Sequence, residues 1–469
     1  MRLVAAATIV TLVFFGVSAG DTQAEDGPPV TATQPLLRSI GEDVSPDELR
    51  ATIARLVEFG TRHTLSETQS NTRGIGAARR WIRAQFIEMS RRCHGCLRIE
   101  TPTQTIVGER IPKPTVIMDV LAVQRGTSDP DRVIVISGHL DSRVTDVMNA
   151  TGDAPGADDD GSGTAAVLEA ARVLSHYKFA ATLVYAVLSG EEQGLYGGKL
   201  LAQSALDHHW QVEAALNNDI IGNATGANGM ADKTHVRLFS EGTRSTETPE
   251  EAERRRYNGG EVDSPSRNLG RFISGIADRY ITDFRVRMIY RTDRYSRGGD
   301  QVPMLAAGYP AVRFTESIEN YTREHQDVRT VDGVHYGDVL GGIDFPYLAQ
   351  VVRLNAVAMA ALASAPAPPD SVKIGGAVSA DTVLTWAPVA GAVSYRVWWR
   401  DTTAPIWTNS RSAGNATSLT LKDITIDDWF FGVSSVSADG YESPVEFPGP
   451  AGAFNPAIKP SSPASVHGN

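Results

Sequence analysis

The chain has 469 residues, 42% hydrophobic and 21% charged, the make-up of a globular protein too large for one small core. Two or more domains are expected. A net charge of −11, with no Lys/Arg cluster to offset it, argues against nucleic acid as the main partner.

The N-terminus reads as a targeting segment. Arg2 supplies the positive start, Leu3 to Val17 is almost wholly apolar, and Ser18-Ala19 and Gln23-Ala24 offer small-residue cleavage sites. An apolar core this short fits a secretory signal peptide over residues 1–24. A secreted or periplasmic location follows, and no later stretch reads as a membrane span. Cys93 and Cys96, the two cysteines of the chain, form a CxxC without a second pair to complete a zinc knot. In an oxidising compartment this reads as a short structural disulfide.

Residues 25–40 are polar and Pro-rich and read as a flexible leader. Ser45-Pro46-Asp47-Glu48 then opens a helix, with Ser as N-cap, Pro in the first turn and acids beside it. A second helix is expected from about Gly74 to Arg91, with Ile75, Ala78, Trp81, Ile82 and Phe86 on one face. Val116 to Gln124 and Arg132 to Ser137 read as neighbouring strands joined by a turn at 126–130. Helical spacing covers Gly161 to Leu174, and Thr182 to Leu188 is a further apolar strand. A helix over Leu195 to Leu206 and a strand over Gln211 to Asn218 follow. Residues 223 to about 264 are polar and read as a surface excursion. Beyond it come an amphipathic helix (Asn268 to Thr282), strands at 284–290 and 311–314, and a long apolar helix from Phe345 to Ala363. The expected fold is α/β: a three-layer mixed sheet with helices on both faces, spanning residues 41–364.

Residues 365–371, Pro-rich, read as a linker. After it the composition changes: five of the seven tryptophans (Trp386, Trp398, Trp399, Trp407, Trp429) crowd into short alternating stretches. That is the pattern of an all-β sandwich over 372–448. The run from Trp386 through Tyr395 to Trp399, with Phe431 to Ser443, resembles a fibronectin type III domain. Aromatics on such a domain can contact a polymer or surface, although they are more often core. The Pro/Ser/Gly-rich tail, 449–469, reads as disordered.

Three connections carry the chemistry. His139 and Asp141 follow one apolar strand, Asp158-Asp159-Asp160 precede a helix, and Glu191-Glu192 follow another strand. In open α/β sheets ligands bind beyond the carboxyl ends of the strands, so these groups converge on one sheet edge. Imidazoles and carboxylates together suit zinc. A carboxylate can bridge two ions, but chemistry alone does not choose among the three aspartates.

The motifs His139-Leu-Asp141-Ser, Pro155-Gly-Ala-Asp-Asp159-Asp-Gly-Ser-Gly, Ser189-Gly-Glu191-Glu192-Gln-Gly, Asn218-Asp219-Ile-Ile-Gly and Glu324-His325-Gln-Asp stand in an order that resembles the secreted bacterial leucine aminopeptidases with two co-catalytic zinc ions. The resemblance covers about 45–363. It implies two Zn2+ per chain, with Asp159 as the bridge, His139 and Asp219 on one ion, and Glu192 and His325 on the other. Asp141 would orient the His139 imidazole, and Glu191 would be the general base. His335 is the one competitor for the role of His325. Tyr290, Tyr295 and Tyr321 are candidates for oxyanion binding, but the surrounding motif departs from the family and none is assigned. Asp300, followed here by Gln301 where the family often has His, is expected in a supporting role. The implied activity is removal of the N-terminal residue from peptides or proteins. Carboxypeptidase, dipeptidase or glutaminyl cyclase chemistry on the same scaffold, or a non-catalytic binding protein, are the competing readings.

Overall fold

The computed structural model describes residues 33–454, so the expected signal peptide and the chain beyond Phe454 lie outside the described residues. The N-terminal unit begins with helices α1 (Pro35–Glu42), α2 (Pro46–Val57) and α3 (Gly74–Arg92). Strand β1 (Leu97–Glu100), the hairpin β2 (Thr103–Gly108) and β3 (Ile111–Met118), and strands β4 (Val120–Gln124) and β5 (Asp129–His139) follow. Next come α4 (Gly161–Leu174), β6 (Ala181–Leu188), α5 (Tyr196–Asp207), β7 (Gln211–Asn218), β8 (His235–Phe239) and α6 (Pro249–Asn258). The unit closes with α7 (Pro265–Tyr280), β9 (Arg285–Ile289), α8 (Gln301–Ala306), β10 (Ala311–Glu316), the small hairpin β11 (Arg329–Val331) and β12 (Val334–Tyr336), and α9 (Phe345–Ser364).

Eight strands form one mixed sheet in the order β1-β4-β6-β5-β7-β10-β8-β9. Its centre, β6-β5-β7-β10, is parallel. Residues of β6 are buried throughout, as a strand covered on both faces requires. The alternation in β5 divides the core: Ile134 and Ile136 join one apolar cluster, with α2, α4 and α9, while Val133 and Val135 join another, with α5 and α8. Helix α9 is long and apolar enough to cross a membrane, contrary to the sequence reading, but it is 83% buried as a core helix.

Five expectations need correction. Strands β4 and β5 are not neighbours: β6 lies between them, because the short turn leads into a parallel pairing instead of a hairpin. The polar excursion at 223–264 is not all surface, since β8 enters the main sheet with Val236 and Leu238 buried. The end of the leader is helical, with Leu37 and Ile40 of α1 packed in the core. The linker is not a tether: Ala365, Pro366, Pro368 and Pro369 are buried, and Ala365 O accepts from Arg132 Nη2 at 2.6 Å. The tail is ordered through Phe454, which is buried in the core of the larger unit.

The C-terminal unit packs two three-stranded antiparallel sheets. One is β13 (Lys373–Gly375), β14 (Thr382–Thr385) and β17 (Ser418–Leu421); the other is β16 (Asn409–Gly414), β15 (Ser394–Asp401) and β18 (Trp429–Val436). Trp386, Tyr395, Trp399 and Phe431 form its core. None of its five tryptophans is exposed: Trp398 Nε1 donates to Ser434 Oγ and Glu442 Oε1, and Trp407 Nε1 donates to Asn268 of α7. Arg400 of β15 reaches across to the larger unit and forks onto Asp263, at 2.9 and 2.8 Å, while Arg271 of α7 holds the same carboxylate at 2.7 Å.

Candidate metal centre and active site

The centre lies beyond the carboxyl ends of β5, β6 and β7. The three consecutive aspartates are separated by their hydrogen bonds. Asp160 caps α4 by accepting from Gly163 N at 2.8 Å, and its other oxygen accepts from His139 N at 2.8 Å. Asp158 Oδ1 accepts from Gly222 N at 2.7 Å. Asp159 alone turns both oxygens towards imidazoles, Oδ1 at 3.2 Å from His139 Nε2 and Oδ2 at 2.9 Å from His325 Nε2. The Asp159–Asp160 peptide bond is cis.

The remaining expected ligands gather around it. Asp219 Oδ2 lies 4.0 Å from His139 Nε2, and Glu192 Oε1 lies 3.2 Å from His325 Nε2. Ligand atoms of His139, Glu191 and Asp219 fall within 4.8 Å of one another, as do those of Asp159, Glu324 and His325. His335 is elsewhere, exposed on β12 and paired with Thr330 Oγ1 at 2.9 Å.

Asp141 sits differently from expectation. The His139 Nδ1 partner is the main-chain oxygen of Asp141 at 3.0 Å, while the carboxylate is 3.6 Å away. That carboxylate instead accepts from the backbone N–H groups of Gly190 (2.8 Å), Glu191 (3.3 Å) and Glu192 (3.2 Å), and from Thr64 Oγ1 (2.9 Å). Asp141 thus holds the Glu191-Glu192 loop through its carboxylate and the imidazole through its main-chain oxygen.

These donors fit a metal. With Nδ1 donating to the Asp141 carbonyl, His139 Nε2 carries a lone pair facing the carboxylates of Asp159 and Asp219, an arrangement a cation between them satisfies. Glu192 Oε1 is buried and makes no hydrogen bond to any described residue. Burial pushes the Glu191 carboxyl well above the usual carboxylate range, opposed by His139 and reinforced by Asp219, Glu192 and Asp300. Burial also raises Asp300 to about 7, opposed by His139; its Oδ1 accepts from Gly198 N at 3.0 Å.

Several supporting residues escaped the sequence reading. Asp338 accepts from the N–H groups of Asp158 (2.9 Å) and Asp159 (2.8 Å), fixing the aspartate loop from a position 180 residues away in sequence. Arg62, wholly buried, donates to the carbonyls of Leu140 (2.7 Å) and Gly156 (2.7 Å), tying the His139 loop to the Asp159 loop. Arg313 of β10 pairs with Asp219. None lies in a recognisable motif. Tyr290 faces the sandwich, donating to Pro405 O at 3.2 Å, and Tyr295 and Tyr321 are exposed.

Two imidazoles among buried carboxylates at the carboxyl edge of a mixed sheet fit a metal-dependent hydrolase. The chain belongs to Peptidase family M28, whose sequence profile matches residues 119–337, and it is a zinc-dependent peptidase. A probable zinc metalloprotease of Leptosphaeria maculans is 43% identical over 89% of this chain and 98% of its own length. One of Pyricularia oryzae is 45% identical over 88% of this chain and 84% of its own. These relatives are fungal, where the motifs resembled a bacterial group. Spans of this length run past α9, so the likeness includes part of the C-terminal unit. The crystal structure of the Legionella pneumophila LapA aminopeptidase shares the fold, with a TM-score of 0.50 and 19% identity over 76% of this chain and 80% of that one.

Proposed function

We propose that this zinc peptidase is a secreted aminopeptidase with two zinc ions, bridged by Asp159. The observation that carries the reading is the Asp159 carboxylate, whose two oxygens face His139 and His325 separately. His139 and Asp219 would hold one ion, Glu192 and His325 the other. Bound zinc polarises the scissile carbonyl and brings the pKa of water down towards ~7. Glu191 takes the proton of the attacking water and returns it to the leaving amine. Asp141, through three backbone N–H groups, keeps Glu191 and Glu192 in register for that exchange. The carboxylates gathered around the centre suit a substrate's free α-ammonium, and the fold is shared with an aminopeptidase. The apolar N-terminus and the Cys93–Cys96 disulfide support export to an oxidising compartment.

The test compares a leucyl peptide bearing a free N-terminus with its N-acetylated twin, each with and without a zinc chelator. Cleavage of the free peptide alone, lost on chelation and restored by zinc at two ions per chain, is expected. Cleavage of the blocked peptide would overturn the aminopeptidase reading in favour of a carboxypeptidase or endopeptidase.

A further inference from the structure

Beside the loop that carries Glu191, and lined by none of the proposed metal ligands, α3 and the β2–β3 hairpin border an open cavity of about 770 Å3, a volume that holds a small organic ligand. Leu65, Val116 and Met118 give it apolar walls. The charged residues lining it are all cations, Arg79, Arg80, Arg83 and Lys113, in a chain whose net charge is −11.

Arg79 stands at the buried end, 7% exposed. Its Nε donates to Ser189 Oγ and its Nη1 to Val116 O, both at 3.3 Å. Its Nη2 has no partner among the described residues. Asp119 and Asp141 are the acids that act on it, yet neither forms an ion pair with it. Asp119 accepts from Ser189 N at 3.0 Å through Oδ1, while its buried Oδ2 has no hydrogen-bond partner among the described residues. At the rim Arg80 donates to the carbonyls of Thr68 and Ser70, while Arg83 and Lys113, both exposed, form no ion pair with any described residue. A buried guanidinium N–H without an acceptor is costly, and a carboxylate is the acceptor whose geometry it matches.

We propose that this cavity binds a monocarboxylate on an apolar body, the carboxylate on Arg79 and the cationic rim, the body along Leu65, Val116 and Met118. Arg79 also holds Ser189, two residues before Glu191, so the ligand sits one hydrogen bond from the catalytic loop. The chemistry is shared by a free aliphatic acid and by the C-terminus of an apolar peptide.

The experiment is calorimetric titration of the zinc-loaded full chain with decanoate and with N-acetyl-leucyl-leucine, each beside its uncharged twin, decanol or the peptide amide. One acid at least is expected to saturate at one per chain, with its twin much weaker, and the acid that binds identifies the source. Arg79→Met should weaken that acid by about tenfold or more, the effect of losing a charge-assisted hydrogen bond. Arg83→Gln with Lys113→Gln, both at exposed positions, should weaken it several-fold and flatten its salt dependence. No saturation by either acid, equal binding of the twins, or undiminished affinity in Arg79→Met, which would place the acid at the metal centre, overturns the proposal. Should Arg79→Met lose its melting transition, the rim double variant decides: unchanged affinity there overturns it.

Discussion

Arg313 Nη1 lies 2.7 Å from Asp219 Oδ2, with both side chains buried. The two come from adjacent parallel strands, β10 and the end of β7, and the same nitrogen donates to Gly298 O at 3.1 Å. The guanidinium therefore holds the same carboxylate oxygen that faces His139 Nε2 and sets the position of a proposed zinc ligand. Arg313→Gln is expected to lower zinc affinity roughly 10–100-fold, the usual consequence of removing a ligand's outer partner. Zinc retained after dialysis against graded chelator reads it directly. Wild-type retention would show that Asp219 needs no such support.

Glu191→Gln keeps the shape of the side chain and removes its ability to take a proton. Turnover should fall about 10²–10⁴-fold, the range for loss of a general base, with zinc content unchanged. Paired activity and metal assays separate the two roles: a variant that loses zinc as well would make Glu191 a ligand.

Asp141→Asn leaves one acceptor oxygen where four donors now converge, and its amide N–H groups oppose the backbone N–H groups of the Glu191 loop. Activity should drop by roughly 10–100-fold. The decisive comparison is with Thr64→Ala, which removes a single donor and should cost far less. Equal losses would mean that the loop does not depend on the carboxylate.

Asp263 compensates two buried guanidiniums at once, Arg271 and Arg400. Asp263→Ala strands both and should destabilise the protein by about 3–5 kcal/mol, as breaking a buried pair does. Urea unfolding followed by tryptophan fluorescence measures it. A loss below about 1 kcal/mol, the scale of an exposed pair, would mean that the contact opens to water.

The centre was legible in the sequence because its residues sit in short motifs at strand ends, where the sheet itself brings them together. Asp159 links His139 to His325, with Asp219 Oδ2 4.0 Å from the first imidazole and Glu192 Oε1 3.2 Å from the second. What the motifs could not convey is support delivered by single residues from distant elements. Asp338 and Arg313 look like ordinary loop and strand residues until the chain is folded. Asp141 was tied to the imidazole alone, since local spacing does not reveal that three N–H groups of another loop reach its carboxylate. Strand β8 was hidden for a related reason: His235-Val-Arg-Leu-Phe239 carries three apolar residues inside a polar stretch, and its place is set by pairing with β10 and β9. The linker's composition suggested freedom, but its prolines are held by burial.

That buried junction bears on how the protein withstands digestion. A protease searching for a cut between the two units meets Ala365–Pro369 already packed, with Ala367 O accepting from Ser435 Oγ and Ala365 O from Arg132. Nicking there requires the junction to open first, which pulls on the Arg132–Glu213 pair at the start of the central strands. Resistance to digestion at this point is thus set by the stability of the catalytic sheet itself.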